Sequence, residues 1–250
     1  MRLLDNGIGV QSKQWVVNEK QSAGFSRIYY IISGEVTYSD NYMTKKLLKG
    51  KLYIFPAQHP YRITHNPDKP IECLWLHIDL FPYDIDRILE MNVHSDGNIT
   101  LSALITALSN EGKFFKDNDS LYESLAQSLA LCIVKHPAIK NIDSSIAAIL
   151  SYIRENLFSP TLNVINISEH FGYSPSHFIR MFKMSMNTTP HRYITVLRMS
   201  SATKLLLEGA SIFETACLCG YADVKNFSRV FKNNFGVPPS EYSRYYRPKA

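Results

Sequence analysis

Two short segments of the chain carry regularly spaced cations and no acidic residue. The cations are Arg180 and Lys183 within residues 173–191, and Lys225, Arg229 and Lys232 within residues 225–235. Side chains three or four positions apart lie on one face of a helix. A helix face of this kind can form ion pairs with phosphates and donate hydrogen bonds to guanine edges. The chemistry that these residues favour is therefore the binding of a nucleic acid.

The two segments belong to an internal repeat. The stretch HFIRMFKMSMNTTPHRYI begins at His177 and NFSRVFKNNFGVPPSEYS begins at Asn226, so the two align without a gap at an offset of 49 residues. The identical pairs are Phe178 and Phe227, Arg180 and Arg229, Phe182 and Phe231, Lys183 and Lys232, Pro190 and Pro239, and Tyr193 and Tyr242. Two copies are too few for a repeat array, which needs about three. The pattern instead indicates one supersecondary unit used twice.

Each copy is predicted to be a short helix, a glycine turn and a second helix. Gly172 and Gly220 mark the turns, and Ser174 and Asp223 are suited to cap the second helices. The predicted bounds of the two units are about 162–186 and 211–235. In this helix-turn-helix plan the second helix enters the major groove, which is ~12 Å wide and accepts one helix.

The two units are joined by a long predicted helix. It follows Pro190 and is closed by Gly209, since proline suits the first turn of a helix and glycine suits its end. Phenylalanines four residues apart predict the buried faces of the two second helices: Phe178 and Phe182, and Phe227 and Phe231. The cations then lie on the opposite, exposed faces.

The distribution of charge agrees with a nucleic-acid partner for the C-terminal part alone. The net charge is +5, and residues 141–250 hold 12 Lys and Arg against 7 Asp and Glu. Residues 1–140 hold 15 of each. A basic part next to a neutral part favours a polyanion partner for the basic part.

Cysteine usage and hydropathy indicate a reducing compartment. The four cysteines show no disulfide framework and are predicted to be small buried residues. The first residues contain no apolar region typical of a signal peptide, and no apolar run approaches the ~18 residues of a membrane span. We therefore expect a cytoplasmic protein with no membrane partner.

The N-terminal part is predicted to be β-rich. Residues 1–95 contain short aromatic and β-branched stretches separated by glycine and proline, which is typical of a sandwich or barrel. Helical periodicity follows over about 99–135. The chain is therefore predicted to be α+β, with domains at 1–140 and 141–250. A leucine stripe, Leu121, Leu125 and Leu129, either forms a homodimer interface or packs on its own barrel.

No constellation for catalysis or metal binding stands out. His59, His65 and His77 lack the H-x-H or H-x3–5-H spacing of metal ligands, and no phosphate loop, catalytic triad or carboxylate pair is visible. We therefore expect no metal, no cofactor and no enzyme activity.

The C-terminal hundred residues resemble the AraC/XylS family of bacterial transcriptional regulators. The motifs that carry the resemblance are FGYSPSHFIRMFK, YITVLRMSSATKLLL and CGYADVKNFSRVFKNNFGVPPSEY, in that order and spacing. The resemblance implies two helix-turn-helix units on one long helix, with both second helices bound to double-stranded DNA. The implied base-facing residues are Ser176, Ile179 and Arg180 in the first unit and Lys225, Asn226 and Arg229 in the second. His177, Lys183 and Lys232 complete the predicted DNA-binding set.

Three positions depart from the family pattern without changing the expected fold. Ser168 stands where the first unit usually has Ala, Thr215 where the second usually has Ile, and Asn187 where Gly is usual. Ile179 is apolar at a reading position that is usually polar. It is therefore expected to contact a thymine methyl group rather than to hydrogen-bond a base.

The N-terminal part is similar, less specifically, to the cupin-type effector domain of the same family. The metal-binding cupin pattern is not met, because its first histidine pair is missing and Gln58 and Tyr61 replace the expected Gly and His. The resemblance thus implies a metal-free sensory barrel. Aromatic and polar residues that could line an effector pocket are Tyr29, Tyr38, His59, Tyr61, Trp75 and His77.

Three functions are compatible with these observations. The first is a transcription factor controlled by a small effector, such as a sugar or another metabolite, with RNA polymerase as a candidate partner. The second is a regulator whose N-terminal domain serves only dimerisation or contact with another protein. The third is a cupin-fold enzyme, such as a sugar isomerase, fused to a DNA-binding domain, and the missing metal ligands argue against it.

Overall fold

The computed structural model describes residues 1–20, 24–94, 97–111 and 120–246, with no side-chain description at 245 and 246. The chain divides into an N-terminal unit, Met1–Ile142, and a C-terminal unit, Asp143–Ala250. The first is β-rich and the second helical, which confirms the predicted α+β class with two domains.

The N-terminal unit contains strands followed by two helices. Its strands are β1 (Arg2–Val10), β2 (Val16–Glu19), β3 (Ser26–Ser33), β4 (Val36–Ser39), β5 (Thr44–Leu47), β6 (Lys51–Phe55), β7 (Tyr61–His65), β8 (Glu72–Asp79), β9 (Tyr83–Asp84), β10 (Leu89–Asn92) and β11 (Lys140–Asn141). Its helices are α1 (Ile99–Glu111) and α2 (Ser120–Ile133). Residues 112–119 of the predicted helical stretch (about 99–135) lie outside the described residues.

The strands form two main antiparallel sheets. The larger has the order β1-β8-β3-β6-β10 and the smaller the order β2-β7-β4-β5, while β9 pairs with β11. Strand β3 lies at the centre of the larger sheet, where Tyr29 pairs with Tyr53 on one side and with Trp75 on the other.

Alternation along the central strands builds two separate cores. On β3, Ile28 faces a core shared with α1 and α2, whereas Tyr29 and Ile31 face a core shared with the smaller sheet. The same alternation occurs on β6, where Leu52 faces the helices and Phe55 faces the smaller sheet. The larger sheet is therefore apolar on both faces, because each face covers a different layer.

Helix α2 covers its own domain with a face that differs from the predicted leucine stripe. Its buried residues are Tyr122, Ala126, Leu129, Ala130 and Ile133. Leu129 is fully buried and Leu125 packs at the edge of the same core, whereas Leu121 is 52% exposed. The stripe is therefore split: two of its members pack on their own domain, and one is left on the outer face.

The C-terminal unit is all helical over its described residues. Its helices are α3 (Ser144–Glu155), α4 (Val164–His170), α5 (Pro175–Met186), α6 (Pro190–Glu208), α7 (Ile212–Leu218), α8 (Val224–Phe235) and α9 (Pro239–Tyr246). The predicted long connector is thus α6, with Pro190 in its first turn and Gly209 at its C-terminal end with φ 104°.

Candidate DNA-binding surface and effector cavity

The first helix-turn-helix unit consists of α4 and α5. Gly172, with φ +72°, turns the chain after α4, and the Tyr173 amide donates to the Ser168 carbonyl at 2.8 Å. The Ser174 side chain accepts from the His177 amide and so caps α5. Asn187 ends α5 with φ 46°, a left-handed conformation that Asn adopts more readily than most residues.

The second unit, α7 and α8, repeats this geometry with different caps. The Tyr221 amide donates to the Ala216 carbonyl at 2.9 Å, as Tyr173 does to Ser168. The Asp223 carboxylate accepts from the amides of Lys225 and Asn226 at the start of α8. Gly236 ends α8 with φ 78°, opposite Asn187 in the repeat. The two turns therefore share this hydrogen bond, although the second turn, Gly220 to Asp223, is one residue longer than the first, Gly172 to Ser174.

The phenylalanine pairs pack the inner faces of the two second helices, α5 and α8, into the core. Phe178 and Phe182 in α5 and Phe227 and Phe231 in α8 are all fully buried, as the periodicity predicts. The rings of Phe182 and Tyr193 lie 5.7 Å apart, which joins α5 to α6. Since each buried pair defines the inner face of its helix, the opposite face is directed to solvent.

All nine predicted DNA-binding residues lie on these outward faces. The exposed residues are Ser176, His177, Ile179, Arg180 and Lys183 on α5, and Lys225, Asn226, Arg229 and Lys232 on α8. Arg180 and Arg229 occupy matching positions of the repeat. Neither helix contains an acidic residue. Each unit thus offers one exposed helix face that carries cations and no acidic residue.

Arg229 has a partner within its own helix. Its Nη2 atom donates to Oδ1 of Asn226 at 3.0 Å, three residues earlier on α8. The first unit has His177 at the position of Asn226, and the ring of His177 lies 5.3 Å from that of Tyr173. The repeat therefore keeps the arginine and changes the side chain next to it.

The N-terminal unit contains a cavity of about 200 Å³. Four of its lining residues come from one face of the larger sheet, and two come from the segment between β1 and β2. The lining residues are Gln11, Trp15, Tyr29, Cys73, Trp75 and His77. Three of the six predicted pocket residues thus meet at one cavity.

The other three predicted pocket residues lie elsewhere. Tyr38 and Tyr61 are buried in an aromatic cluster with Phe55, and their ring centroids are 5.7 Å apart. The hydroxyl of Tyr38 donates to the Asp40 carboxylate at 2.7 Å. His59 is half-buried in the turn between β6 and β7. These residues do not line the cavity.

The cavity wall is electrically neutral. Burial, together with the nearby charge of Arg27, holds the pKa of His77 well below its ordinary value, so the ring is uncharged at pH 7. Its Nδ1 atom lies 3.6 Å from the Asp5 carboxylate, a contact that is not an ion pair while the ring is neutral. Burial raises the pKa of Cys73 to about 12, which keeps the thiol protonated.

Arg27, the cation whose charge acts on His77, is paired with other groups. Arg27 donates from Nη2 to the Glu19 carboxylate at 2.6 Å and from Nη1 to the Tyr61 hydroxyl at 2.9 Å. Its guanidinium also lies 4.9 Å from the centre of the Phe25 ring. The cavity therefore presents aromatic rings and neutral polar groups rather than a free charge.

Three residues of this cavity, Gln11, Trp15 and Cys73, were not predicted from the sequence. Trp15 packs at 6.3 Å from Tyr29 and 5.4 Å from His65, and Gln11 lies beside it in the lining. The chain has only two tryptophans, Trp15 and Trp75, and both line the cavity. The rarity of tryptophan is the signal that would have identified Trp15.

Among the described residues, no helix is long and apolar enough to cross a membrane.

Comparison with known proteins identifies the family of the helix-turn-helix domain. Residues 167–245 match the family HTH_18, described as a helix-turn-helix domain. The multiple antibiotic resistance protein MarA of Salmonella typhimurium is 36% identical over 119 residues, which cover 44% of this chain and 93% of MarA. The raffinose operon transcriptional regulatory protein RafR of Pediococcus pentosaceus is 26% identical over 241 residues, 87% of this chain and 84% of RafR.

A solved structure shows the same two-domain fold. ToxT of Vibrio cholerae, bound to (E)-4-(8-methylnaphthalen-1-yl)but-3-enoic acid, matches with a TM-score of 0.65 at 15% identity. The match covers 98% of this chain and 99% of ToxT. MarA, by contrast, matches only 44% of this chain. From the paired helix-turn-helix units and these relatives, the chain belongs to the AraC family of DNA-binding transcriptional regulators.

Proposed function

We propose that the protein binds one specific DNA site with both helix-turn-helix units, and that a small molecule in the N-terminal cavity controls this binding. The observation that carries the DNA-binding mode is the pair of acid-free helix faces with Arg180 and Arg229 at matching positions. A solvated face would account for one such helix. Two in the same register favour contact with a polyanion that is itself periodic.

The side chains of each face have different roles on DNA. Arg180 and Arg229 have the reach and the forked donors to bind guanine O6 and N7. Lys183 and Lys232 lie one turn further along and contact phosphates. Ile179 is 38% exposed on α5 and suits the methyl group of a thymine. Ser176, His177, Lys225 and Asn226 occupy the first turns, which in this motif approach the base edges.

The connector α6 is long enough for both units to dock on one duplex. It has 19 residues, hence a length of about 28 Å at 1.5 Å per residue. Successive major grooves on one side of DNA are ~34 Å apart, and each recognition helix is offset from the end of the connector. One monomer should therefore occupy an asymmetric site of about two helical turns.

The cavity favours a small uncharged ligand with an apolar face, such as a monosaccharide. Its volume, about 200 Å³, lies below the roughly 300–1,000 Å³ of pockets for drug-sized ligands. Trp15, Tyr29 and Trp75 supply flat apolar surfaces, and Gln11 and His77 supply neutral hydrogen-bonding groups. Among the relatives, RafR is named for a sugar operon, whereas the ToxT ligand is an organic acid. The neutral wall favours the first ligand class.

Intrinsic tryptophan fluorescence tests effector binding directly, since both tryptophans line the cavity. We expect a sugar from a panel of sugars and small organic acids to change the fluorescence and raise the melting temperature. Tyr29→Phe and His77→Gln should each lower the affinity for that ligand about tenfold. His136→Gln, which lies outside the cavity lining, should leave the affinity unchanged. Equal affinity in all variants would place the ligand elsewhere.

A second candidate role of the N-terminal unit is homodimerisation. Leu121 and Leu131 in α2 are each 52% exposed, so both side chains lie outside the core that α2 covers. If these side chains form the dimer contact, Leu121→Glu with Leu131→Glu gives a monomer in sedimentation of the full chain. An unchanged dimer, or a wild-type monomer at high micromolar concentration, argues against it. RNA polymerase remains a candidate partner of the DNA-bound protein.

Selection of bound duplexes from a random library tests the DNA-binding mode. We expect an asymmetric motif with two conserved blocks one helical turn apart, and an affinity that changes when the effector is added. A single short block would show that only one unit docks. A palindrome with one block per half would assign one unit to each monomer.

A further inference from the structure

Arg198 lies in the middle of the connector α6 and is almost fully buried, with 8% of its surface exposed. A buried guanidinium loses its hydration, and burial accordingly lowers the pKa of Arg198. Within the described part of the chain, Arg198 forms no ion pair. Its partners are two backbone carbonyls and an aromatic ring, which differ from the carboxylates that usually accompany buried arginines.

The carbonyls belong to the segment that precedes the first helix-turn-helix unit. Arg198 Nε donates to the Leu157 carbonyl and Nη2 to the Ser159 carbonyl, both at 2.8 Å. These residues connect α3 to α4. Two hydrogen bonds from one planar group fix its position and its orientation.

The ring belongs to the turn of the second unit. The Arg198 guanidinium lies 5.5 Å from the centre of the Tyr221 ring. Tyr221 in turn packs edge-on against Phe227 in α8, with centroids 5.5 Å apart. A chain of direct contacts thus runs from the α3–α4 segment through Arg198 to the second recognition helix.

Gly220 brings the same two segments into direct contact. A Cβ atom at Gly220 would lie 2.7 Å from the Phe158 carbonyl oxygen and 3.0 Å from Arg198 Nη2, and the residue has φ +75°. Only glycine allows this approach, because any side chain would meet backbone atoms and would also strain the left-handed conformation. The junction is therefore closely packed from both sides.

We infer that Arg198 is a positioning residue for DNA binding, which holds the two helix-turn-helix units at a fixed relative orientation. The inference rests on the proposed docking of both units. Each recognition helix has its own buried phenylalanine pair, which does not include Arg198. What the Arg198 junction adds is a fixed angle between the two units. Two linked modules gain affinity over one only when their geometry allows both to engage, and the gain is about 10²–10⁴-fold.

The test uses the full chain and three duplexes: the selected site, and the same site with either block scrambled. For wild type, the intact site should bind at least 100-fold more tightly than either scrambled one. Arg198→Lys keeps the charge but loses the planar fork, and should reduce this gain about tenfold while binding to the scrambled duplexes stays within about twofold. Tyr221→Leu should do the same, whereas Tyr221→Phe, which keeps the ring, should resemble wild type.

Lys204→Ala, an exposed residue of the same helix, is the control and should leave the gain unchanged. A merely stabilising role predicts that all three duplexes lose affinity equally in Arg198→Lys and Tyr221→Leu, and that result would overturn the inference. So would an unchanged gain in both variants. If wild type itself gains nothing from the second block, the docking of both units is wrong and the inference is overturned with it. Should Arg198→Lys not fold, the pair Tyr221→Leu and Tyr221→Phe decides.

Discussion

Asn226 accepts a hydrogen bond from Arg229 across one turn of α8, with 3.0 Å between Oδ1 and Nη2. Both side chains are exposed, so the bond orients two residues that face the proposed DNA. The Oδ1 atom has a second lone pair, so Asn226 can accept from Arg229 and still present one acceptor beside its NH₂ donors. The bond therefore fixes the side-chain amide and leaves its NH₂ group available to an acceptor on a base edge.

We therefore predict that the base opposite Asn226 presents an acceptor in the major groove, as adenine, guanine and thymine do and cytosine does not. Asn226→Asp keeps the acceptor for Arg229 and removes the donors, so it should abolish the preference at that base pair. Selection from a random library with each protein measures this. A cytosine preference in wild type would show that the NH₂ group does not contact the base.

Arg229→Ala should weaken binding to the selected site by about 1–3 kcal/mol and relax the preference at one base pair, since a bidentate contact to guanine is lost. Lys204→Ala removes an exposed cation from the connector and is the matched control, with an expected change below about twofold. Titration on the selected site gives the loss of binding free energy, and titration on single-base variants of that site gives the base preference. If the base preference survives in Arg229→Ala, the residue contacts a phosphate instead.

Lys232→Ala should weaken all sequences about equally, because a phosphate contact carries no sequence information. The slope of log K against log salt should become shallower by about one. Measurements between about 50 and 200 mM salt on specific and random duplexes test this, again with Lys204→Ala as control. A loss confined to the specific duplex would make Lys232 a base contact.

Insertion of about five base pairs between the two blocks should abolish the gain from the second block. Half a helical turn moves the second groove to the far side of the duplex, and a 19-residue helix cannot follow it. An insertion of ten base pairs returns the second groove to the same side of the duplex but moves it ~34 Å further away. It should therefore also abolish the gain from the second block. Binding that survives both insertions would mean that a single unit docks.

The neutral state of His77 predicts a pH dependence of stability. The folded pKa is depressed, so below about pH 6.5 the unfolded chain takes up a proton that the folded chain does not. Stability should therefore fall with pH from about 6.5 downward, by roughly 1 kcal/mol between pH 7.5 and 5.5. Urea unfolding followed by the fluorescence of Trp15 and Trp75 reports on the N-terminal unit alone.

His77→Gln should remove this part of the pH dependence and leave the contribution of other groups. His136→Gln, outside the cavity lining, is the control and should resemble wild type. Identical pH profiles for wild type and His77→Gln would show that His77 takes up its proton in the folded state as easily as in the unfolded chain.

The sequence by itself determined the helical unit, because the signals there are local. Ser174 and Asp223 cap helices through amides two or three residues away, and Asn187 and Gly236 end helices through their own backbone conformation. The spacing of the phenylalanines then defines which face is buried, since α5 and α8 each have one apolar side. Hence the exposed residues that we propose contact DNA could be named from spacing and family resemblance.

Tertiary structure alone decided which tyrosines line the cavity. Tyr29 and Tyr38 both lie on strands of the core between the sheets, and their alternation is similar. Strand pairing sets Tyr29 beside Trp75, whereas packing of one sheet on the other places Tyr38 against Phe55. In strands buried on both faces, apolar residues occur on each side, so hydrophobicity does not reveal which face adjoins a cavity.

The same holds for α2 and for Arg198. The sequence shows the leucine stripe of α2, but only the packing of α2 on the larger sheet shows that Leu129 is buried and Leu121 is exposed. Arg198 looks like a surface cation of the connector in sequence. Its partners, Leu157 and Tyr221, are distant along the chain, and no local pattern records a contact that forms only when helices pack.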